Sequence, residues 1–393
     1  MYYNTFKDKR LSGLGFGTMR LPLAEDGSID KAKVAEMTDY AIAKGVNYFD
    51  TAYPYHGGMS EVVIGEVLKR YPREDYYLAT KFPGHQISAT YDPQGVFERQ
   101  LEKCKVDYFD FYLLHNVYEN SIGVYKDSRY KIIDYFLEQK RQGRIKHLGF
   151  STHARPGTLE DFLDYAGDVM EFCQIQLNYL DWTLQQAKEK CELLSDRGIP
   201  VWVMEPLRGG KLADLGNQYN AKLKKAHPDY SVASWAFRYL QRFPEVKMIL
   251  SGMSDMAQME DNVKTFESRS PLTDEETRLL YAVAEKLKDS VPCTGCRYCC
   301  MGCPKRLDIP LLISAYNDIK FSKSGGMTVS MQMEALNKDQ LPSACISCGS
   351  CARTCPQNID VPKILKDFDQ ILQGMPKWAD ICRARAAEAE KLK

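Results

Sequence analysis

The sequence predicts a (β/α)₈ barrel, the TIM-barrel fold class, followed by a small, mainly helical, cysteine-rich domain. Three observations support this prediction. The 393 residues exceed one typical hydrophobic core and fit two domains. Short strand-like runs alternate with helical runs from about residue 45 to 265. Of the 13 cysteines, three lie in residues 1–292 and ten lie in residues 293–393, which indicates that the second part binds metal.

Seven strand candidates define the first domain. Each is followed by a stretch with apolar residues at helical spacing, and repeated βα units imply a parallel sheet. Seven clear units, with an eighth expected inside residues 208–245, favour a closed barrel over an open sheet. Residues 7–22 are expected to form a short hairpin before the first barrel strand, with their glycines as turn residues. The strand candidates are 46–52, 76–82, 107–115, 145–151, 172–179, 200–207 and 246–252.

Polar residues lie at the ends of several predicted strands, which is the face of such a barrel where chemistry occurs. The segments NYFDTAYPYHGGMSE (47–61), LATKF (78–82) and LLHN (113–116) carry an Asp, a Tyr, a Lys and a His in that order. This pattern resembles the motifs of the aldo-keto reductase family over roughly residues 1–290. The resemblance implies a catalytic set of Asp50, Tyr55, Lys81 and His115.

These four residue types suit the reduction of a carbonyl, which needs a hydride at carbon and a proton at oxygen. A free tyrosine, with a pKa of about 10, is a weak acid, and a neighbouring ammonium from Lys81 would favour its phenolate. Asp50 would keep the buried lysine charged. His115 would orient the substrate oxygen and share its hydrogen bond with Tyr55. Neighbouring Tyr53, His56 and His85 are interpreted as packing or loop residues.

The resemblance also implies a nicotinamide nucleotide lying across the top of the barrel. The family usually holds the carboxamide with a Ser-Asn pair and a Gln, and here the chain has Ser151, Thr152 in place of Asn, and Gln176. Met204 stands where an aromatic residue commonly stacks on the nicotinamide. NADP(H) is the expected cofactor, and NAD(H) or a flavin in the same pocket stays open.

The segment SGMSDMAQMEDN (251–262) resembles the family's loop for the adenosine phosphate. A helix that begins there would supply backbone donors for an anion. In some branches an arginine pairs with the 2′-phosphate, whereas this chain has glutamine at the matching position. The matching residues are Gly252, Ser254, Gln258, Asp261 and Asn262.

Two cysteine runs, CTGCRYCCMGCP (293–304) and CISCGSCARTCP (345–356), share the spacing C-x₂-C-x₂-C-x₃-C-P. This is the bacterial ferredoxin pattern, in which the fourth cysteine of each run ligates the other of two 4Fe-4S clusters. Two zinc sites are the alternative, but they need only pairs of cysteines and leave the third cysteine and the CP pair unexplained. The predicted ligand sets are Cys293, Cys296, Cys299 and Cys355 for one cluster, and Cys345, Cys348, Cys351 and Cys303 for the other.

The repeat continues beyond the ligands, because residues 303–313 echo residues 355–365 at a constant offset of 52. This offset predicts a pseudo-twofold domain built from a duplicated unit, and the residues between the runs look helical. The predicted boundary gives domains 1–288 and 289–393, the second ending in a charged amphipathic helix at 378–393. The cysteines outside the spacing are interpreted as non-ligands: Cys104, Cys173, Cys191, Cys300 and Cys382.

Three functions are compatible with this sequence. The first is a nicotinamide-dependent reductase of a small carbonyl, or oxidant of an alcohol, whose clusters are structural or serve an electron-transfer protein. The second is a flavin- or ferredoxin-linked reductase, because a hydride carries two electrons and a cluster usually one. The third is a redox-sensing subunit without turnover. Lys+Arg and Asp+Glu both total 52, so neither nucleic acid nor a membrane is expected as a partner, and a cytoplasmic location is predicted.

Overall fold

A computed structural model describes residues 1–86, 90–287, 291–321, 325–375 and 377. The chain separates into two compact units, Met1–Glu285 and Lys286–Lys393. The predicted boundary between residues 288 and 289 lies outside the described residues, so the division at that point stays a prediction. The predicted C-terminal helix at 378–393, which contains Cys382, also lies outside them.

The first unit contains a closed barrel of eight parallel strands, as the described part of the chain shows. This confirms the predicted barrel. Strands β3 to β10, defined below, follow chain order around it, and β10 pairs with β3 to close it. The strands of this unit are β1 (Tyr3–Phe6), β2 (Lys9–Ser12), β3 (Leu14–Gly17), β4 (Tyr48–Asp50), β5 (Tyr77–Phe82), β6 (Phe109–Val117), β7 (Ile145–Thr152), β8 (Cys173–Gln176), β9 (Val201–Met204) and β10 (Val246–Gly252).

Helices surround the barrel and bury their apolar faces against it. Most connect one strand to the next, which is the right-handed arrangement that parallel strands require. In the described part of this unit they are α1 (Lys31–Ala43), α2 (Met59–Leu68), α3 (Pro93–Cys104), α4 (Ile122–Lys126), α5 (Ile132–Arg141), α6 (Pro156–Ala166), α7 (Asp181–Leu184), α8 (Ala187–Asp196), α9 (Asn217–Ala226), α10 (Val232–Leu240), α11 (Met256–Thr265) and α12 (Asp274–Leu287).

The eighth strand is β3, and the prediction of a strand inside residues 208–245 is wrong because that region forms α9 and α10. Two of the four residues of β3 are glycines, which have low strand propensity and therefore concealed it. The barrel needs the small residue at Gly15. A Cβ there would lie 2.7 Å from Leu250 and 2.8 Å from Met248.

The hairpin lies earlier than predicted. It is formed by β1 and β2 rather than by residues 7–22, and Tyr3 pairs with Ser12 across it. Its Phe6 packs among large side chains of the barrel interior, with its ring centroid 5.0 Å from that of Trp202. The hairpin therefore closes the end of the barrel at which the strands begin.

The second unit is helical in its described residues. Its helices are α13 (Tyr298–Met301), α14 (Ile309–Phe321), α15 (Gly325–Glu334), α16 (Ser350–Thr354) and α17 (Val361–Gln373). Helices α14 and α17 have the same length and begin 52 residues apart, at the offset found in the sequence. None of the described helices is long and apolar enough to cross a membrane.

The duplication extends to the backbone of the second unit. Residues with positive φ recur at the same offset of 52. Tyr316 and Phe368 are equivalent residues under this offset, and their ring centroids lie 5.9 Å apart. Equivalent residues can touch each other only near a twofold axis, so α14 and α17 pack across the pseudo-twofold. The positive-φ pairs are Gly295 with Ser347, Arg297 with Gly349, and Arg306 with Asn358.

A glycine at the contact of α2 and α3 provides a test of the barrel's packing. A Cβ at Gly65 would lie 2.6 Å from main-chain atoms of Cys104, which cannot turn aside as a side chain can. Gly65→Ala should therefore lower the free energy of unfolding by about 1–3 kcal/mol. Tryptophan fluorescence during thermal unfolding of cluster-loaded protein would measure the change in midpoint.

The matched control is Gly157→Ala in α6, where a Cβ meets nothing within 4 Å. This variant should leave the midpoint unchanged or raise it slightly, because alanine favours helix over glycine. Equal midpoints for both variants would contradict the close approach of α2 to Cys104.

Candidate active site and cysteine-lined cavities

The four predicted catalytic residues lie together at the rim where the barrel strands end. Asp50 is the last residue of β4, and Lys81 and His115 lie near the ends of β5 and β6. Tyr55 opens a short 3₁₀ turn after β4. Neighbouring parallel strands end side by side, so closure of the barrel brings these residues together from three successive strands and the turn after the first of them.

Lys81 is the centre of this group. Its Nζ donates to Asp50 Oδ1 at 2.6 Å and to the carbonyl oxygen of Thr51 at 2.7 Å. A third contact, of 3.3 Å, reaches the hydroxyl of Tyr55. The side chain is fully buried. All three N–H groups of the ammonium therefore have acceptors, which compensates for the loss of water around it.

Burial dominates the acid–base properties of this group. It lowers the pKa of Lys81 and raises that of Asp50, and the attraction between the two opposes both shifts. Burial also raises the pKa of the Tyr55 phenol well above its ordinary value, the charges of Asp50 and Glu205 raise it further, and Arg20 opposes them. The acidifying effect expected of Lys81 is thus outweighed, and Tyr55 carries its proton at neutral pH.

His115 lies beside Tyr55, with ring centroids 6.1 Å apart in an edge-on arrangement. Burial lowers its pKa well below the ordinary value, so the imidazole is neutral at pH 7. Its Nδ1 is buried and has no hydrogen-bond partner among the described residues. A neutral imidazole has one N–H donor, and this group could donate a hydrogen bond to an oxygen atom placed beside Tyr55.

His85 also belongs to this site, although its sequence gave no sign of it. Its ring centroid lies 4.4 Å from that of His115. Burial lowers the pKa of His85 to about 4. The residue follows β5 by three positions, and no motif distinguishes it from an ordinary loop histidine, so only the fold shows where it lies.

The residues predicted to hold the carboxamide lie on β7, β8 and β9. Ser151 is 2% exposed, and its Oγ accepts from the backbone N–H of Asn116 at 2.8 Å. Gln176 and Met204 are paired directly across β8 and β9. Thr152, which replaces the usual Asn, uses its hydroxyl internally, because it donates to the carbonyl of Val117 at 2.6 Å.

Polar groups of the loop after β10 that were predicted to bind a phosphate already form hydrogen bonds within the protein. Gly252 ends the strand, and Ser254 donates through Oγ to the carbonyl of Arg20 at 2.8 Å. The backbone N–H of Gln258, in the first turn of α11, is capped by the Asp255 carboxylate at 2.8 Å. One of the helix donors expected for an anion is therefore already used.

The last two residues of the predicted phosphate loop make internal contacts. The carboxylate of Asp261 accepts from Ser231 Oγ at 2.6 Å. Asn262 is 3% exposed, and its Nδ2 donates to Ser251 Oγ at 3.0 Å. Both side chains tie α11 to its neighbours, and a role for them in nucleotide binding stays a prediction.

Arg20 and Glu205 form a further charged contact at the rim. The guanidinium of Arg20, which follows β3, lies 3.8 Å from the carboxylate of Glu205, which follows β9. The side chain of Arg20 also covers Gly252, where a Cβ would approach it to 3.1 Å. Glu205 lies near the end of the strand candidate at 200–207, whereas nothing in the sequence singled out Arg20.

The second unit contains two cysteine-lined cavities, with empty volumes of about 320 and 330 Å³. Each is lined by three cysteines of one run and the last cysteine of the other. These are the two predicted ligand sets, which the fold brings together. Cys293, Cys296, Cys299 and Cys355 line the first cavity, and Cys345, Cys348, Cys351 and Cys303 line the second.

Four cysteines line each cavity, which is the number of ligands that a 4Fe-4S cluster takes. Backbone N–H groups already point at sulfur in both runs, from Gly295 to Cys293 Sγ and from Ser347 to Cys345 Sγ, each at 3.4 Å. These two contacts are related by the offset of 52 and suit a pair of like sites.

The other described cysteines do not line either cavity. Cys104, Cys173 and Cys191 are buried in the barrel unit, as packing residues would be. Cys300 is half-buried and follows Cys299 directly in the chain. Its position next to a lining residue is consistent with the sequence interpretation, which left it out of the ligand sets.

Comparison with protein families gives one match for each part of the chain. The family model described as "Aldo/keto reductase family" matches residues 13–285. The model described as "4Fe-4S dicluster domain" matches residues 292–359. The second match agrees with the residues that carry the two cysteine runs.

Similar proteins match between about half and three quarters of the chain. The uncharacterized oxidoreductase YqkF of Bacillus subtilis (strain 168) is 27% identical over 70% of this chain and 92% of its own length. The NADH-specific methylglyoxal reductase of Escherichia coli (strain K12) is 26% identical over 52% of this chain and 66% of its own length. The holo form of an aldo-keto reductase from Bacillus halodurans superposes with a TM-score of 0.58 at 26% identity, covering 72% of this chain and 96% of that one.

The depressed pKa of His85 predicts a pH-dependent loss of stability. Between the ordinary pKa of 6.5 and about 4, the unfolded chain binds a proton at His85 that the folded chain does not. Stability from this residue is therefore full above pH 6.5 and is lost as the pH falls through that window, by about 2 kcal/mol at pH 5. His85→Gln should reduce the fall in the thermal unfolding midpoint between pH 7 and pH 5.

The control replaces Gln86, the exposed and non-titrating neighbour of His85, by alanine, which should leave that fall unchanged. An identical pH dependence in the wild type and in His85→Gln would show that His85 is not held neutral by the fold.

The two cavities predict which cysteines share a cluster. Cys351→Ser should remove about half of the iron and sulfide bound per chain, because one of two sites loses a ligand. Cys303→Ser should do the same, although it lies in the other run, and combining the two should cause no further loss. Iron and sulfide analysis of anaerobically reconstituted protein measures this.

Cys300→Ser is the matched control, and it should retain the full iron content. Loss of iron in that variant, or additive losses from Cys303 and Cys351, would contradict the two ligand sets.

Proposed function

The chain belongs to the aldo/keto reductase family, and from that premise we propose that it is a nicotinamide-dependent reductase of small carbonyl compounds. Its C-terminal part carries a 4Fe-4S dicluster domain. The observation that supports the reaction best is the contact of Lys81 Nζ with both Asp50 and Tyr55, beside a neutral His115. The same site would catalyse the reverse oxidation of an alcohol.

In this proposal, Tyr55 is the proton donor. Burial keeps its phenol protonated at neutral pH, so the hydroxyl can protonate a substrate oxygen as negative charge develops there. Lys81 lies 3.3 Å from that hydroxyl and compensates the phenolate that remains. His115 donates a hydrogen bond to the same oxygen. Bound nicotinamide would supply the hydride to the substrate carbon, so that hydride and proton together convert a carbonyl to an alcohol.

Ser151 and Gln176 are the proposed contacts to the nicotinamide carboxamide, and the loop at residues 251–262 is the proposed contact to the adenosine phosphate. NADP(H) is the proposed form of the cofactor. NAD(H) is its direct competitor, because Gln258 offers no charge for a 2′-phosphate and the E. coli relative is named as NADH-specific. A binding comparison of the two nucleotides decides between them.

The carbonyl reaction has no need of iron, so the dicluster domain has a separate proposed role. We propose that it exchanges single electrons with a protein partner, since each cluster carries one electron at a time. The exposed position of Cys348 at the second cavity supports this role, because a cluster there would lie near the surface. A cytoplasmic location stays a prediction.

The proposed chemistry depends on one hydroxyl. Tyr55→Phe should lower kcat for carbonyl reduction by about 10²–10⁴-fold, because it removes the general acid. The dissociation constant of NADPH should change little, since the ring remains in place. Steady-state kinetics with a panel of aldehydes and ketones, together with calorimetric titration of NADPH, separates the two effects.

Tyr53→Phe is the matched control, because Tyr53 lies two residues away and its ring packs against Lys103 at 4.5 Å. Its kcat should equal that of the wild type. Full turnover in Tyr55→Phe, with flavin released on denaturation of cluster-loaded protein, would instead favour the flavin-linked reductase. Inactivity of the wild type towards every carbonyl, despite nucleotide binding, would favour the sensing subunit.

A further inference from the structure

A buried polar network lies behind Gln176, and the reaction proposed above does not use it. Gln176 ends β8 and is 2% exposed. Its Nε2 donates to Oδ2 of Asp181 at 2.6 Å. Asp181 is fully buried at the first residue of α7, a position that leaves its carboxylate inside the barrel unit.

Asn178 fixes the Asp181 carboxylate in place. Its Nδ2 donates to Asp181 Oδ2 at 2.6 Å, and its Oδ1 accepts from the backbone N–H of Asp181 at 2.8 Å. The same Nδ2 donates to the carbonyl of Glu205 at 3.0 Å. The carboxylate therefore has one rotamer in which these bonds are all satisfied.

Arg208 supplies the opposite charge. Its Nε donates to Asp181 Oδ2 at 3.1 Å, and a terminal nitrogen lies 3.0 Å from Oδ1. The side chains of Arg208 and Asp181 are 1% and 0% exposed, so the ion pair is shielded from solvent. A guanidinium cannot lose its proton in a protein, and removal of either partner would leave the other as an uncompensated buried charge.

The charge on Asp181 decides how the Gln176 amide is turned. The two orientations of a primary amide have nearly the same shape, so packing alone does not choose between them. A carboxylate only accepts hydrogen bonds, which means that the NH₂ group of Gln176 must face Asp181. The amide oxygen then faces the other way, and because it has two acceptor lone pairs, its interaction with His153 leaves one of them for a ligand.

We propose that Asp181, fixed by Arg208 and Asn178, is a positioning residue that presents the oxygen of Gln176 to a ligand group that donates a hydrogen bond. Under the proposed function, on which this inference rests, that group is the NH₂ of the nicotinamide carboxamide. The site should therefore prefer a carboxamide to a ketone of the same shape, because the ketone can only accept.

The test compares two nucleotides that differ only in this group, NADPH and reduced 3-acetylpyridine adenine dinucleotide phosphate. Calorimetric titration of anaerobic, cluster-loaded protein should show the wild type binding NADPH about tenfold more tightly. In Asp181→Asn the preference should fall to about threefold or less, because a side-chain amide allows Gln176 to turn either way. The ratio of the two dissociation constants cancels the contributions that the rest of the nucleotide makes to binding.

Two further variants separate positioning from general structure. The double variant Asp181→Asn/Arg208→Gln removes both charges, leaves no unpaired guanidinium, and should lose the preference equally. Asp110→Asn is the matched control, because Asp110 forms another ion pair, partly buried and 2.6 Å from Arg73, near the start of β6. It should keep the wild-type ratio, and far-UV circular dichroism confirms folding of all three.

An unchanged ratio in the folded Asp181 variants would overturn the positioning role and leave the reductase proposal intact. Equal affinity of the wild type for both nucleotides would do the same. Failure of the wild type to bind NADPH at all would overturn the proposed function first, and this inference with it.

Discussion

Closure of the parallel barrel is the constraint on which the candidate active site depends. Parallel strands that meet edge to edge must all end at one rim, so residues far apart in sequence become neighbours there. Asp50, Lys81 and His115 come from three successive strands and meet because β4, β5 and β6 are paired in that order. Gly15 of β3 serves the same closure, since it has no room for a side chain beside β10.

The rim carries two buried ion pairs, Asp50 with Lys81 and Asp181 with Arg208. Burying a charge is costly, and a buried pair often contributes little net stability compared with apolar residues. Both pairs provide orientation, because Asp50 Oδ1 and Asp181 Oδ2 each accept hydrogen bonds from defined side chains. Lys81 of the first pair lies 3.3 Å from the Tyr55 hydroxyl, and Asp181 of the second accepts from the Gln176 amide at 2.6 Å, so each pair contacts one polar group of the candidate site.

The sequence predicted the features that depend on a short motif or on an internal repeat. The spacing within the cysteine runs predicted the way the cavities share cysteines, and the offset of 52 predicted the matched helices. The sequence did not predict β3, because barrel closure overrides the poor strand propensity of its glycines. Asp181 and Arg208 lie 27 residues apart with no pattern joining them, and only tertiary packing makes them a pair. His85 is a loop residue until the fold brings it to His115.

The shared cavities of the C-terminal unit have an evolutionary consequence. A single repeat would possess three lining cysteines for one cavity and a fourth that belongs to another, so it could complete a site only with a second copy of itself. The contact of Tyr316 with its equivalent Phe368 is the kind that a symmetric homodimer makes across its axis. Gene duplication and fusion of such a dimer would have turned assembly between molecules into assembly within one chain. Formation of both sites would then no longer depend on protein concentration.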